Sequence, residues 1–297
     1  MTCGYRECRY PIGRRQGAES RFRRDGTTHA LGVQRRCEAR KWGNVADEVL
    51  TERQGRTLVI TINRPEARNA FNLAVAQGLA DAMDELDDSP ELSVSIVTGA
   101  GGNFCAGMDL KAFMAGEVPS IPGRGIGFTE RPPRKPVIAA VEGYALAGGT
   151  EIVLATDLVV AAKDAKFGIP EVKRGLVAAG GGLLRLPHRI PYQKALEIAL
   201  TGDSFTAEEA AAWGFVNKLT EPGEALAGAL ELAERITKNG PLAVAVTKEV
   251  IVKSADWSEA EMWKKQSELI MPVFSSKDAM EGATAFAEKR APNWTGS

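Results

Sequence analysis

Two carboxylates that follow turns of small residues are the strongest candidates for acid–base chemistry in this chain. Glu151 comes directly after the run ALAGGT (145–150), and Glu171 follows a proline in FGIPE (167–171). Singly, Glu151 could serve only the dipole of the helix it begins, and Glu171 could be a solvated loop acid. Together they predict a general acid and a general base placed to handle one water molecule.

Two glycine-containing turns, CAGMD (105–109) and ALAGGTE (145–151), each follow an apolar run. Glycine lets the backbone approach a ligand closely, and a helix N-terminus offers N–H groups without intrahelical partners. Two such N–H groups aimed at one point form an oxyanion hole, which stabilises a thioester oxygen as it becomes an enolate. In either turn taken alone, the glycines could be explained by tight packing of the turn. Neither matches a dinucleotide-binding GxGxxG or a phosphate-binding P-loop.

The sequence lacks the residues that several other catalytic classes need. The only histidines are His29 and His188, which argues against a Ser-His-Asp triad and against a histidine-rich metal site. The four cysteines form no pair of CxxC motifs, so a reducing, cytoplasmic setting is expected. Among them, Cys105 is interpreted as a small buried residue because no base is indicated beside it. No apolar run is long enough to span a membrane, so no membrane association is predicted.

The near balance of 37 basic and 38 acidic residues hides an Arg-rich segment, residues 1–44, with a net charge of +7. It has few aliphatic residues and no sustained period, so it is predicted to be disordered or to reflect a mis-assigned start. A transit peptide or a nucleic-acid-binding arm are the alternatives, and nucleic-acid binding is the less favoured. One domain is expected over 45–297.

The elements predicted in that domain alternate between strand and helix. A hairpin turns at Gly55, Asn72 caps a helix over 73–86, and apolar strands follow at 93–99, 136–143 and 157–162, with a helix over 147–155. From about residue 191 the spacing is mostly helical. This order predicts an α/β fold, with a core over about 45–200 and a helical part over about 201–297. The long connection 115–135 is expected to be functional or mobile.

Four segments together resemble the crotonase superfamily, and enoyl-CoA hydratases within it. They are NRPEARNAFN (63–72), GAGGNFCAGMDLKAF (99–113), KPVIAAVEGYALAGGTEIVLATDLVVAAKDAKFGIPEVKRGL (135–176) and TGDSFTAEEAAAWGFVNKL (201–219). The resemblance implies a spiral of ββα units with a helical C-terminal trimerisation region, and a homotrimer or homohexamer. It implies hydration of a 2-enoyl-CoA to a 3-hydroxyacyl-CoA, or the reverse dehydration, with no metal or redox cofactor beyond the coenzyme A of the acyl-CoA substrate.

The resemblance also assigns residues. It places the oxyanion-hole N–H groups at Met108 and Gly148, and the two catalytic carboxyls at Glu151 and Glu171. The residues that it places around coenzyme A are Arg64, Ala67, Arg68, Ala106, Asp109, Leu110, Lys111 and, from a neighbouring subunit, Phe286 and Lys289. From the sequence alone, Asp109 has the alternative interpretation of a structural acid.

Three departures leave the acyl group open. Ala147 stands where many members have a third glycine, AAGGG (178–182) replaces a more frequent Pro- and Gly-containing turn, and LRLP (184–187) is similar to carnitinyl-CoA dehydratases. The stretch 115–135 covers the region that shapes the acyl pocket in the family. The alternatives are an enoyl-CoA isomerase, a carnitinyl-CoA-type dehydratase, or a non-catalytic member that binds CoA or RNA. Isomerases typically lack one of the two glutamates, which favours a hydratase.

Overall fold

The computed structural model of the protein describes residues 48–297, so the Arg-rich segment 1–44 and the predicted boundary beside it lie outside the described residues. The described chain forms nine strands and ten α-helices. The strands are β1 Val49–Gln54, β2 Thr57–Ile62, β3 Val94–Gly99, β4 Val137–Val141, β5 Tyr144–Leu146, β6 Leu158–Ala162, β7 Lys166–Gly168, β8 Ser204–Thr206 and β9 Lys218–Thr220. The helices are α1 Leu73–Asp88, α2 Leu110–Met114, α3 Gly148–Ala155, α4 Gly182–Arg189, α5 Tyr192–Thr201, α6 Ala207–Ala212, α7 Ala225–Thr237, α8 Pro241–Ser254, α9 Glu259–Phe274 and α10 Lys277–Glu288.

The strands divide into a six-stranded sheet of order β1-β2-β3-β4-β6-β9 and a three-stranded sheet of order β5-β7-β8. In the larger sheet only β1 and β2 pair antiparallel, around the predicted turn at Gly55, which has φ +58°. The chain visits the larger sheet, then the smaller one, and then forms a helix: β4 and β5 lead to α3, and β6 and β7 lead to the 3-10 helix Pro170–Arg174. The predicted spiral of ββα units is confirmed.

Two earlier turns of the spiral replace the second strand with single bridges. Phe71, after β2, pairs with Met108, after β3, and Cys105 pairs with Ala145 of β5. The loops that follow β2, β3, β4 and β6 therefore lie side by side in one layer. This layer is where the predicted site residues meet.

Both faces of the central strands of the larger sheet, β2, β3, β4 and β6, are buried, which explains why these strands are mostly apolar. On one face Val97 and Ala139 belong to the main core, which also includes α1 and α3. On the other face Ile96 and Ile138 pack against α7 through a stripe of small residues, Ala225, Ala229 and Ala233. The sheet is thereby packed between two layers, and the loops at its edge are held in place by the strands they follow.

The helical starts follow from local chemistry. The Asn72 side chain accepts a hydrogen bond from the Val75 N–H at 2.9 Å, as expected for the predicted cap of α1. The part 201–297 is mostly helical, as predicted, and two short strands within it complete the sheets: β8 the smaller one and β9 the larger one. Each has three residues, too few to show a period of two in the sequence.

Candidate active site

A cavity of about 400 Å³ opens where four successive turns of the spiral end. These turns contribute the lining residues Phe71, Met108, Gly148 and Glu171, in chain order. Glu151, one helical turn after Gly148, lines the same cavity. The structure therefore brings together all four residues that were predicted to carry the chemistry.

The backbone around Met108 leaves its N–H group free to point into this cavity. The Phe71 N–H donates to the Gly107 carbonyl and the Asp109 N–H donates to the Phe71 carbonyl, both at 2.9 Å. In a parallel ladder, a residue flanked by two such bonds directs its own N–H to the opposite side. Gly148 is the first residue of α3, where an N–H has no intrahelical acceptor. Within 48–297, neither N–H donates a hydrogen bond.

Ala147, which precedes α3, holds an unusual backbone conformation. Its φ is 51° and its ψ is −127°, and its N–H donates to the Gly168 carbonyl at 2.9 Å. A side chain in this region costs about 1–3 kcal/mol of strain. Its methyl group also borders Gly107, where an added Cβ would lie only 2.9 Å away. The turn that presents Gly148 is thus strained and tightly packed on the turn that presents Met108.

Ala147→Gly is expected to raise the free energy of unfolding by about 1 kcal/mol. The relief of strain exceeds the roughly 0.4–1 kcal/mol that glycine adds in unfolded-chain entropy. Denaturant titration of both proteins measures the difference. Ala115→Gly is the matched control, since Ala115 has an ordinary φ of −78° and gains nothing from glycine. A destabilised Ala147→Gly protein would show that Ala147 is not strained.

Glu151 is buried, with 3% of its surface exposed. One carboxylate oxygen, Oε1, accepts a hydrogen bond from the Gly182 N–H at 2.9 Å. Burial raises the pKa of Glu151 above its ordinary value, opposed by the N–H groups of Gly182 and Gly180 and by the positive charge of Arg185. The three glycines 180–182 therefore have a role: added Cβ atoms at Gly180 and Gly182 would lie 2.8 and 3.0 Å from the Glu151 side chain.

Glu171 occupies a different environment at the start of the 3-10 helix Pro170–Arg174. Its buried Oε2 atom has no hydrogen-bond partner among residues 48–297. Burial raises the pKa of Glu171, and the negative charge of Glu151 raises it further, while the backbone N–H of Glu171 itself and the positive charge of Arg174 act in the opposite direction. An oxygen that is buried, unpartnered and facing a second carboxylate favours the protonated form of Glu171.

The two loops predicted to hold coenzyme A are joined to each other. The Ala106 N–H donates to the Arg68 carbonyl at 3.0 Å, and Arg64 Nη2 lies 2.9 Å from Asp109 Oδ2. Asp109 also accepts hydrogen bonds from the N–H groups of Lys111 and Ala112 as the N-cap of α2. Partial burial raises the pKa of Asp109, but the hydrogen bonds from Arg64 and these amides outweigh it and hold that pKa below its ordinary value. The structural interpretation of Asp109 is supported.

The remaining predicted contact residues fall into four groups. Ala106 and Leu110 line the cavity. Arg68 and Lys111 are exposed beside it with no ion pair to residues 48–297, whereas the Arg64 guanidinium is occupied by Asp109, Glu48 and the Ala70 carbonyl. Ala67 is partly buried in the 3-10 helix Pro65–Ala67. Phe286 and Lys289 lie at the end of α10, outside the cavity lining, and Phe286 is 87% exposed.

Much of the cavity wall was not named from the sequence. It includes apolar side chains from α2 and from two loops: Phe113, Val118, Pro119, Ile126, Leu176 and Val177. Glu130 and Arg174 add charges to this wall. Part of it comes from the connection 115–135, which was expected to be functional or mobile. Arg185 and the glycines beside Glu151 were missed, although the unusual run of three glycines was the signal for them.

Three further features of the described residues concern metal ligands, the Cys105 thiol and helix length. No group of three or more His, Cys, Asp or Glu side chains in 48–297 could hold a metal ion. Cys105 is fully buried, and burial raises the pKa of its thiol to about 12, so it is not a nucleophile at neutral pH. Within the same residues, no helix is long and apolar enough to cross a membrane.

Fold and site together define a crotonase-type enzyme of the α/β class. The family model for enoyl-CoA hydratase/isomerase matches residues 52–297, and the chain belongs to that family. The predicted resemblance, fold class and enzyme class are confirmed.

Named relatives are similar over most of their length. The crystal structure of enoyl-CoA hydratase EchA1 from Mycobacterium marinum is 65% identical with a TM-score of 0.84, covering 84% of this chain and 100% of that one. Enoyl-CoA hydratase EchA19 from Mycobacterium tuberculosis is 45% identical, covering 83% of this chain and 96% of that protein. Carnitinyl-CoA dehydratase from Salmonella arizonae is 42% identical, covering 85% of this chain and 100% of that protein.

Proposed function

We propose that this protein is an enoyl-CoA hydratase that adds water across the 2,3 double bond of a 2-enoyl-CoA, or catalyses the reverse dehydration. The observation that carries the proposal is that Glu151 and Glu171 line one cavity with the backbone at Met108 and Gly148. An isomerase needs one acid–base group, whereas hydration needs one carboxylate to activate water and one carboxylic acid to protonate carbon. The relatives named enoyl-CoA hydratase support the same reaction.

In this mechanism the thioester oxygen accepts hydrogen bonds from the N–H groups of Met108 and Gly148. Negative charge that develops on the oxygen in the enolate is stabilised by these fixed donors. Their orientation is set by the ladder with Phe71 and by the start of α3, so no reorganisation is needed during the reaction.

The two carboxyls have different roles because their environments differ. Glu151, which has amide donors and a nearby arginine, is the ionised base and takes a proton from water as the oxygen bonds to C3. Glu171, with its unpartnered oxygen, is the acid and delivers its proton to C2. Each turnover leaves Glu151 protonated and Glu171 ionised, and exchange with water restores both.

Coenzyme A is proposed to lie along the joined loops 64–68 and 106–111. Arg68 and Lys111 supply exposed cations for its phosphates, while Arg64 contributes by fixing the loop to Asp109. Ala106 and Leu110 lie where the pantetheine arm enters the cavity, with Ala67 beside the nucleotide.

We also propose a homotrimer or homohexamer, in which Phe286 and Lys289 contact coenzyme A bound to a neighbouring subunit. The support is a set of large apolar side chains on α9 and α10 that are more than half exposed: Trp263, Met271, Phe274, Met280 and Phe286. Exposed apolar side chains of this number mark a contact surface in a protein of this size. Light scattering coupled to size-exclusion chromatography measures the assembly.

The hydratase is tested by the loss of enone absorbance when the purified protein meets 2-enoyl-CoA esters from short to long chain. Turnover of at least one ester, with a 3-hydroxyacyl-CoA product, is the expected result. Esters that bind without turnover would contradict the proposal. Glu151→Gln beside the wild type separates this site from a contaminating enzyme, since the variant should lose the activity.

A second candidate is favoured by Glu130. Its side chain lies on the cavity wall with Phe113 and makes no ion pair with residues 48–297. A carboxylate near an aromatic ring suits a quaternary ammonium group, and one relative is named carnitinyl-CoA dehydratase. A 2-enoyl-CoA that carries a trimethylammonium group belongs in the same assay. Preference for it over an uncharged ester of equal length would favour this candidate.

A further inference from the structure

The glycine turn 180–182 lies against two charged side chains, Glu151 and Arg185. An added methyl group at Gly180 would lie 2.8 Å from Glu151 Oε2. One at Gly181 would lie 2.3 Å from Arg185 Nη1. Both charged groups therefore lie close to the bare backbone of the same turn, and the positive charge of Arg185 acts on Glu151.

Arg185 also joins this turn to the segment 124–130, which contributes Gly125, Ile126 and Glu130 to the cavity wall. Its Nη2 donates to the Thr129 carbonyl at 2.5 Å. The Thr129 hydroxyl in turn accepts a hydrogen bond from the Ile126 N–H at 3.0 Å, and Ile126 lines the cavity. The guanidinium therefore ties α4, whose first residue Gly182 binds Glu151, to the segment 124–130.

We propose that Arg185 is a positioning residue for Glu151, which holds the glycine turn against the carboxylate and keeps that carboxylate in its ionised form. The proposal rests on the proposed function, because it gives Glu151 the role of the base. It adds a residue outside the cavity lining to the groups on which hydration depends. The charge and the hydrogen bond of Arg185 act together: the bond fixes the geometry and the charge favours the ionised carboxylate.

Few charged groups influence the protonation of Glu151. Arg185 on α4 acts on Glu151, and Glu151 acts on Glu171 of the 3-10 helix. Arg189 acts on Arg185, and Arg174 acts on Glu171. Arg185 lowers the pKa of Glu151, whose net shift from burial is upward. Loss of Arg185 therefore raises that pKa further, and the base becomes protonated at a higher pH. The acidic limb of the pH–rate profile should move upward.

The test compares Arg185→Gln and Arg185→Lys with the wild type across pH, using a 2-enoyl-CoA that the wild type hydrates. Arg185→Gln is expected to lower kcat by about 10–100-fold with KM within about threefold, and to move the acidic limb up by about one pH unit. Arg185→Lys keeps the charge, so its limb should stay near that of the wild type while kcat is only partly restored.

Arg189→Gln is the matched control, because Arg189 lies one turn later on α4 and makes only a 3.4 Å contact with the Thr156 carbonyl. The acidic limb of its pH–rate profile should stay where it is in the wild type. The inference is overturned if the acidic limb of Arg185→Gln stays at the wild-type pH. It is also overturned if Arg185→Lys shows the same upward shift of that limb as Arg185→Gln. If Arg185→Gln fails to fold, the lysine variant decides alone: an unmoved limb with reduced kcat supports the role, and an upward shift or unchanged kcat overturns it. An inactive wild type refutes the proposed function instead.

Discussion

Glu171→Gln is expected to lower kcat for hydration by about 10²–10⁴-fold, the usual contribution of a positioned acid–base group. Glutamine has nearly the same shape but cannot deliver a proton to C2. The buried Oε2 of Glu171 makes no hydrogen bond within the described chain, so no internal contact is lost with it. Affinity for the acyl-CoA should therefore remain within a few-fold of the wild type.

Enone absorbance measures turnover in this experiment, and calorimetric titration with the product measures binding. Glu197→Gln is the control, since Glu197 is an exposed residue of α5 that pairs with Lys194 on the surface. It should change neither quantity. Equal turnover in Glu171→Gln and the wild type would remove Glu171 from the mechanism, whereas loss of binding together with turnover would point to a misfolded site.

Gly149→Ala is expected to have the largest effect on stability, about 3 kcal/mol of unfolding free energy, and to abolish most activity. The added Cβ would lie 2.1 Å from the Cys105 carbonyl oxygen and 3.0 Å from its carbonyl carbon. Backbone atoms of a core bridge cannot move aside as a flexible side chain can. The start of α3 must shift instead, which displaces the Gly148 N–H from the substrate oxygen.

Denaturant titration and turnover on the same preparation check this prediction. Gly240→Ala is the matched control, because a Cβ there meets Trp294 at an ordinary 3.7 Å and Gly240 has φ −60°. It should change the free energy of unfolding by less than about 1 kcal/mol. A Gly149→Ala protein as stable as this control would mean that α3 and Cys105 are less closely packed than described.

The longer elements were predictable from sequence because each carries its own signal. The strands β3, β4 and β6 are apolar runs, and Asn72 marks the start of α1. The short strands β5, β7, β8 and β9 have no such signal. Tyr144–Leu146 is a strand only because Lys166–Gly168 lies beside it, and pairing between distant segments is not encoded in a three-residue pattern.

The site residues also divide into those with a local sequence signal and those without one. Glu151, Glu171 and the glycine turns stand out as residue types in a local context, and the structure places them around one cavity. Met108 and Gly148 were assigned through family resemblance, since any residue can supply a backbone N–H. Arg185 was missed because its relation to Glu151 crosses 34 positions and depends on how α4 packs. Contacts of that kind follow from tertiary packing and not from spacing.

The spiral has a consequence for how such a site can diversify. Phe71, Met108, Gly148 and Glu171 come from four successive turns, and each turn is anchored by its own strand in the larger sheet. A substitution at the end of one turn alters one wall of the cavity and leaves the anchors of the other three in place. The scaffold can therefore keep two N–H donors constant while it exchanges the acid–base groups or the acyl wall one at a time, which separates the binding of a thioester from the choice of reaction.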